Sequence, residues 1–290
     1  MTPRVATFIG LAAILMWSLL AALTVATGRV PVFQLLAMTF AIGACIGPLT
    51  WLLRPGAFRA LRQPPLVWLV GVGGLFGYHA LYFLALRFAP PAEAGLLNYL
   101  WPLLIVLLSS LLPGERLTVY HVAGALLGLS GTALLLIGRG DAVFETSYIP
   151  GFVAAFLGAF VWAGYSVMSR KFAGVPTDAV AGFCLATAFL ATLCHFIFEA
   201  TIWPDTLLQW AAIVALGIGP VGVAFFAWDI GMKRGDIRVL GAMSYATPLL
   251  STFFLIAAGY ARPTATLSLA ALMIAGGGLI AAKDAIFKRG

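Results

Sequence analysis

The sequence predicts an all-α integral membrane fold: ten transmembrane helices as two inverted five-helix repeats, with both termini cytoplasmic. Three observations predict it. Apolar residues make up 62% of the 290-residue chain and charged residues only 9%, whereas a soluble domain carries roughly 45–50% and about 25%. Glycine, proline and charge clusters divide the chain into ten apolar segments. The chain also matches itself at an offset of 146 residues, the mark of an internal repeat.

The segments run near 5–26, 32–53, 66–86, 92–112, 118–138, 150–170, 178–199, 207–230, 238–258 and 265–286. Each approaches the ~20 residues that a helix needs to cross the bilayer core. Their apolarity is continuous rather than alternating, which favours helices over barrel strands. The first follows a single basic residue, Arg4. It exceeds the roughly 7–15 apolar residues of a signal-peptide core and reads as a retained helix. The connections are short, so no appended soluble domain is expected.

Orientation follows from the basic residues. With the N-terminus inside, the cytoplasmic segments hold Arg4, Arg54, Arg59, Arg62, Arg116, Arg170, Lys171, Lys233, Arg234, Arg238, Lys283, Lys288 and Arg289, which is 13 of the 17. Arg29, Arg87, Arg139 and Arg262 fall outside. That asymmetry is the positive-inside pattern. The +7 balance is then topology, and nucleic acid is excluded as a partner. Cys45, Cys184 and Cys194 lie in apolar runs without metal-ligand spacing. They read as small buried residues, and neither a metal nor a cofactor is expected.

The repeat is carried by residues that seldom match by chance. Gly71 pairs with Gly217, Gly73 with Gly219, Gly95 with Gly241, Tyr99 with Tyr245, Pro102-Leu103-Leu104 with Pro248-Leu249-Leu250, and Gly131 with Gly277. Arg116 and Thr118 pair with Arg262 and Thr264. An offset shorter by one pairs Trp17 with Trp162. The unit is five helices, giving repeats over 1–142 and 143–290. Five is odd, so the second copy enters the membrane inverted, the architecture of many secondary transporters with midplane sites.

The mid-helix tryptophans of segments 1 and 6, the prolines of segments 4 and 9, and the run Pro113-Gly114-Glu115-Arg116-Leu117-Thr118 leading to Gly124, Gly128 and Gly131 resemble the drug/metabolite transporter superfamily. The resemblance spans the chain and is closest to the ten-helix branch with paired EamA-type repeats, within it to bacterial aromatic amino acid exporters. It implies an exporter of aromatic and other neutral or hydrophobic amino acids across the cytoplasmic membrane. The second copy departs from the pattern, reading Ala261-Arg262 where Glu115-Arg116 stands in the first.

Polar and aromatic faces mark the expected substrate path. Tyr78, His79 and Tyr82 share a broad helix face, as residues three and four apart do. Segment 4 carries a stripe of Asn98, Trp101, Ile105 and Ser109 beside Tyr99, and segment 9 answers with Ser244, Thr247 and Ser251. Trp162, Tyr165, Ser166 and Ser169 form a face on segment 6, and segment 8 offers Phe225 and Trp228. The substrate-binding set is therefore Trp17, Tyr78, His79, Tyr82, Asn98, Tyr99, Trp101, Trp162, Ser244 and Thr247. Pro102 and Pro248 are the expected helix-kinking, gating residues, although kinking alone would explain them. Trp51, Trp68, Tyr148, Trp203, Trp210 and Tyr260 read as interface anchors.

Ionisable groups inside the membrane carry the most information. His79 is near mid-span, while His195, Glu199 and Asp229 fall toward segment ends. Little formal charge is left for the interior. A neutral or zwitterionic, partly apolar substrate fits such a path, and a cationic drug does not. A carrier of another metabolite, such as a sugar, nucleoside or drug-like compound, remains the alternative. The chain lacks HExxH, GxSxG and clustered acids, so no enzyme chemistry is expected. The chain is expected to work as a monomer, with a small-molecule substrate and the lipid bilayer as its partners.

Overall fold

The computed structural model describes residues 1–54, 56–114, 116–137, 145–257, 264–281 and 283. Glu115, Arg139, Tyr260, Ala261-Arg262, Lys288-Arg289 and the 142/143 repeat boundary lie outside them. Among the described residues every regular element is helical. In chain order these are α1 (Pro3–Ala26), α2 (Val32–Trp51), α3 (Pro65–Phe88), α4 (Glu93–Leu111), α5 (Val119–Ile137), α6 (Thr146–Lys171), α7 (Ala179–Phe198) and α8 (Leu207–Arg234). Then come α9, in two pieces (Ile237–Met243 and Ala246–Ala257), and α10 (Ala265–Ala281). Among the described residues seven, α1–α4 and α6–α8, are long and apolar enough to cross a membrane by length and composition.

Local sequence explains where these helices start and bend. Pro3 and Pro65 stand in first turns, where a missing N–H costs nothing. α4 breaks at Tyr99–Leu100 and α9 at Ser244–Tyr245, in each case just before the paired prolines Pro102 and Pro248. Proline cannot donate to the fourth preceding carbonyl and disfavours helical backbone at the residue ahead of it. The Tyr245 hydroxyl accepts from Leu103 N (3.2 Å), so the second copy fills the break in the first. α3 and α8 each contain a π-helical turn, over Gly73–Gly77 and Gly219–Val223. These two turns are separated by the 146-residue offset of the sequence repeat.

The packing is reciprocal between the copies. α1 lies on α8 and α6 on α3, while α2 pairs with α7, α4 with α9 and α5 with α10. Exchanging the copies maps this set of contacts onto itself. Glycines set the approach distances. A Cβ on Gly71 would enter the Phe183 ring, and one on the paired Gly217 would enter Ile42.

The α2–α7 pair is stapled at both ends. Glu199 accepts from the first-turn amides of α2, Phe33 N (2.9 Å) and Gln34 N (3.1 Å), a carboxylate at the positive end of a helix. At the opposite end Asp178 accepts from Arg54 (2.7 Å) and from Trp51 Nε1 (3.1 Å). Trp51 thus has a specific partner beyond its expected anchoring place. Cys184 is buried, but Cys45 is exposed, so burial does not account for all three cysteines.

Candidate functional site

A cavity of about 220 Å³ opens between α1, α3, α4, α6, α8 and α9. It lies toward the end that holds the C-terminal ends of α1 and α3. Its walls are aromatic because the mid-helix tryptophans of both copies converge there. Trp17 meets Trp162 edge-on at 5.5 Å between ring centroids. Trp101 stands at 6.3 Å from Trp162, and Trp17 reaches the buried Trp228 at 5.0 Å. Centroids 4.5–7 Å apart in tilted or edge-to-face arrangements are the favourable geometry for such rings.

Polar groups are set into this wall by the irregular segments. Trp17 Nε1 donates to Pro220 O (2.9 Å), a carbonyl inside the π-helical turn of α8. Such turns disturb the regular i→i−4 ladder and occur often at functional sites. On α3, His79 Nδ1 lies 2.6 Å from Leu75 O in the other π-helical turn. A carbonyl only accepts, so Nδ1 carries the proton and, in the neutral ring, Nε2 is the acceptor. Asn98 Nδ2 donates to the Tyr78 hydroxyl (3.1 Å), and Tyr78 and Tyr82 stack at 6.1 Å. Two wall groups, Asn98 Oδ1 and Thr247 Oγ1, are buried without a hydrogen-bond partner, leaving unmet polar capacity beside the cavity.

Of the ten substrate-site residues expected from sequence, the structure gathers nine on the cavity wall: Trp17, Tyr78, His79, Tyr82, Asn98, Tyr99, Trp101, Trp162 and Thr247. Ser244 lies outside that wall. It is fully buried at the α9 break, and its hydroxyl donates to Leu240 O (2.7 Å), turned to its own helix rather than to the cavity. Pro102 and Pro248 sit behind the wall at the breaks. Leu20, Ala21, Pro220 and Val221 also line the cavity and were not singled out by sequence. Pro220 had a signal, because a Gly-Pro pair in mid-segment disrupts a helix; the aliphatic residues had none.

Asp229 lies five residues before the end of α8 at Arg234 and is buried, only 2% exposed. It pairs with Lys233 (2.8 Å), itself buried. His195 and Glu199 do lie at a helix end, hydrogen-bonded to each other (2.9 Å) away from the cavity.

A two-copy helical bundle with an aromatic pocket where the copies meet is the frame of a membrane carrier. The chain belongs to the EamA-like transporter family, whose profile matches residues 4–137 and again 149–282. It is 57% identical over 282 residues to the aromatic amino acid exporter YddG of Ancylobacter novellus, covering 97% of this chain and 98% of that one. It is 29% identical over 295 residues to the protein of the same name in Escherichia coli, covering 97% of each. A solved crystal structure with 56% sequence identity superposes with a TM-score of 0.95 over 100% of both chains.

Proposed function

We propose that this protein exports aromatic and other neutral or hydrophobic amino acids across the cytoplasmic membrane by alternating access. The observation that carries this reading is the cavity wall: tryptophan, tyrosine, histidine, asparagine and threonine, with no Asp, Glu, Lys or Arg among the described residues. Rings offer stacking area to an apolar side chain. The hydroxyls, Asn98 and His79 offer donors and acceptors to a zwitterionic head without imposing net charge. The names of the relatives point the same way. In this reading ten helices cross the membrane as two inverted five-helix repeats, 1–142 and 143–290, with both termini in the cytoplasm, and the chain acts as a monomer. The reciprocal helix contacts and the 13-to-4 division of basic residues support it. Among the described residues the cavity wall itself holds no carboxylate, which favours facilitated export over proton coupling.

The test is flux in proteoliposomes loaded with labelled Phe, Trp, Met and Thr, with and without an imposed pH gradient. Saturable flux and counterflow for the aromatic substrates are expected, with little effect of the gradient. Absence of saturable flux for all four would reject the substrate assignment.

A further inference from the structure

The cavity is closed off at the end that carries the N-terminus. Beyond Trp228 the chain is tightly packed: Met232, Ile237 and Leu240 are fully buried. Within this plug lies the Asp229–Lys233 pair, one helical turn apart on α8. Both partners also grip the 172–178 connection between α6 and α7. Asp229 Oδ2 accepts from Thr177 Oγ1 (2.6 Å), and Lys233 Nζ donates to Val175 O (2.8 Å). Arg170, at the end of α6, donates to Gly235 O (2.8 Å) and Met232 O (3.3 Å), tying the same two elements.

The device is absent from the other copy by sequence. At the 146-residue offset Phe83 stands for Asp229 and Arg87 for Lys233. Phe83 instead meets Phe33 edge-on at 5.9 Å, a contact without charge. The charged grip at the N-terminal end therefore has no counterpart at the equivalent positions of the other copy.

We propose that Asp229 and Lys233 form a latch that holds the N-terminal end of the carrier closed by gripping the α6–α7 connection. This rests on the alternating-access reading above. Being on one helix, the two charges stay paired when the end opens. What opening breaks is the grip on Thr177 and Val175, and what it returns is hydration of the pair. Burying an ion pair carries a desolvation penalty that its attraction and hydrogen bonds must offset, and removing one partner leaves an uncompensated buried charge. The balance keeps the closed end reversible. It also gives the variants opposite signs. Removing one charge or the Thr177 hydroxyl favours opening, whereas replacing both charges with apolar side chains of similar size favours closure.

The experiment places a Ser169→Cys reporter, buried on α6, in a chain with Cys45, Cys184 and Cys194 replaced. Its reaction with a membrane-impermeant maleimide is followed from each side of vesicles, with Thr2→Cys marking the side of the N-terminus. Asp229→Asn and Thr177→Val should raise the labelling rate from that side by about tenfold, a modest population shift. The Asp229→Leu/Lys233→Met double variant should label no faster than the parent. Unchanged labelling in both D229N and T177V would overturn the latch, as would a double variant that labels as fast as D229N. Should D229N fail to fold, as judged by gel filtration, T177V decides, since it removes a single partly buried hydroxyl. Labelling that behaves as stated in a chain without amino acid flux would retain the latch and reject the transport reading.

Discussion

Trp17 and Trp162 meet edge-to-face at 5.5 Å, each contributed by the first helix of its repeat. The pair is not a symmetric seam. Trp17 donates its indole N–H to Pro220 O, whereas Trp162 packs against Tyr78 at 5.2 Å and is only 3% exposed. One ring is anchored by a hydrogen bond and the other by packing, so the substitutions should separate.

Trp17→Phe keeps an aromatic face and loses the tie to the π-helical turn; Trp17→Ala loses both. An aromatic pair contributes about 0.5–1.5 kcal/mol beyond its buried area. Trp17→Ala is therefore expected to raise KM for Trp and Phe by about tenfold, with Trp17→Phe intermediate. Counterflow kinetics at matched reconstitution levels check this. Equal KM for all three proteins would place substrate away from Trp17.

His79 and His195 should respond oppositely in two assays. His79 faces the cavity with Nδ1 held by Leu75 O, so His79→Ala should reduce transport with little change in Tm. His195 bridges Glu199 (2.9 Å) and Thr201 (2.9 Å) at the staple that caps α2. His195→Ala should cost about 1–3 kcal/mol of stability, typical of an unsatisfied buried polar partner, and so lower Tm while leaving KM unchanged. Thermal unfolding in detergent and flux, measured on both variants, decide the assignment.

Much of this arrangement was legible in the sequence because its signals are periodic. Apolar segment length placed the helices, and the Gly, Pro and Tyr matches disclosed the repeat. The spacings of 1, 3 and 4 residues among Tyr78, His79 and Tyr82 put them on one broad face. What escaped was set by tertiary geometry. Ser244 shares its stripe with Thr247 and Ser251, but the proline-induced break turns its hydroxyl onto Leu240 O. Leu20, Ala21 and Val221 are aliphatic, and no local pattern distinguishes a cavity wall from a lipid-facing side. The burial of Asp229 escaped because its partner Thr177 is 52 residues away.

The glycines at the α5–α10 crossing should be far less tolerant than those at the π-helical turns. A Cβ on Gly277 would come 2.5 Å from Gly124 O, whereas one on Gly73 or Gly219 meets nothing within 4 Å. Overpacking of this kind costs about 1–3 kcal/mol. Gly277→Ala is expected to lower Tm or expression, and Gly73→Ala and Gly219→Ala to fold normally. A Gly277→Ala protein with parental Tm would show that the two helices can separate at no cost.

Tyr99 and Tyr245 occupy equivalent positions in the two copies, and the structure gives them different work. Tyr99 lines the cavity; Tyr245 is fully buried and accepts the Leu103 amide exposed by the break in α4. Removing the Tyr245 hydroxyl strands that amide, at about 1–3 kcal/mol for a buried donor left unpaired. Tyr245→Phe should therefore lower Tm, while Tyr99→Phe should leave Tm unchanged and alter KM. If alternating access exchanges the roles of the copies, Tyr245 would leave Leu103 when the other end opens. Tyr245→Phe would then also favour that opening, and Tyr99→Phe would not. Measuring both variants with the Ser169→Cys accessibility assay tests this. A Tyr245→Phe chain with unchanged Tm and unchanged labelling would mean that the Leu103 amide finds another acceptor.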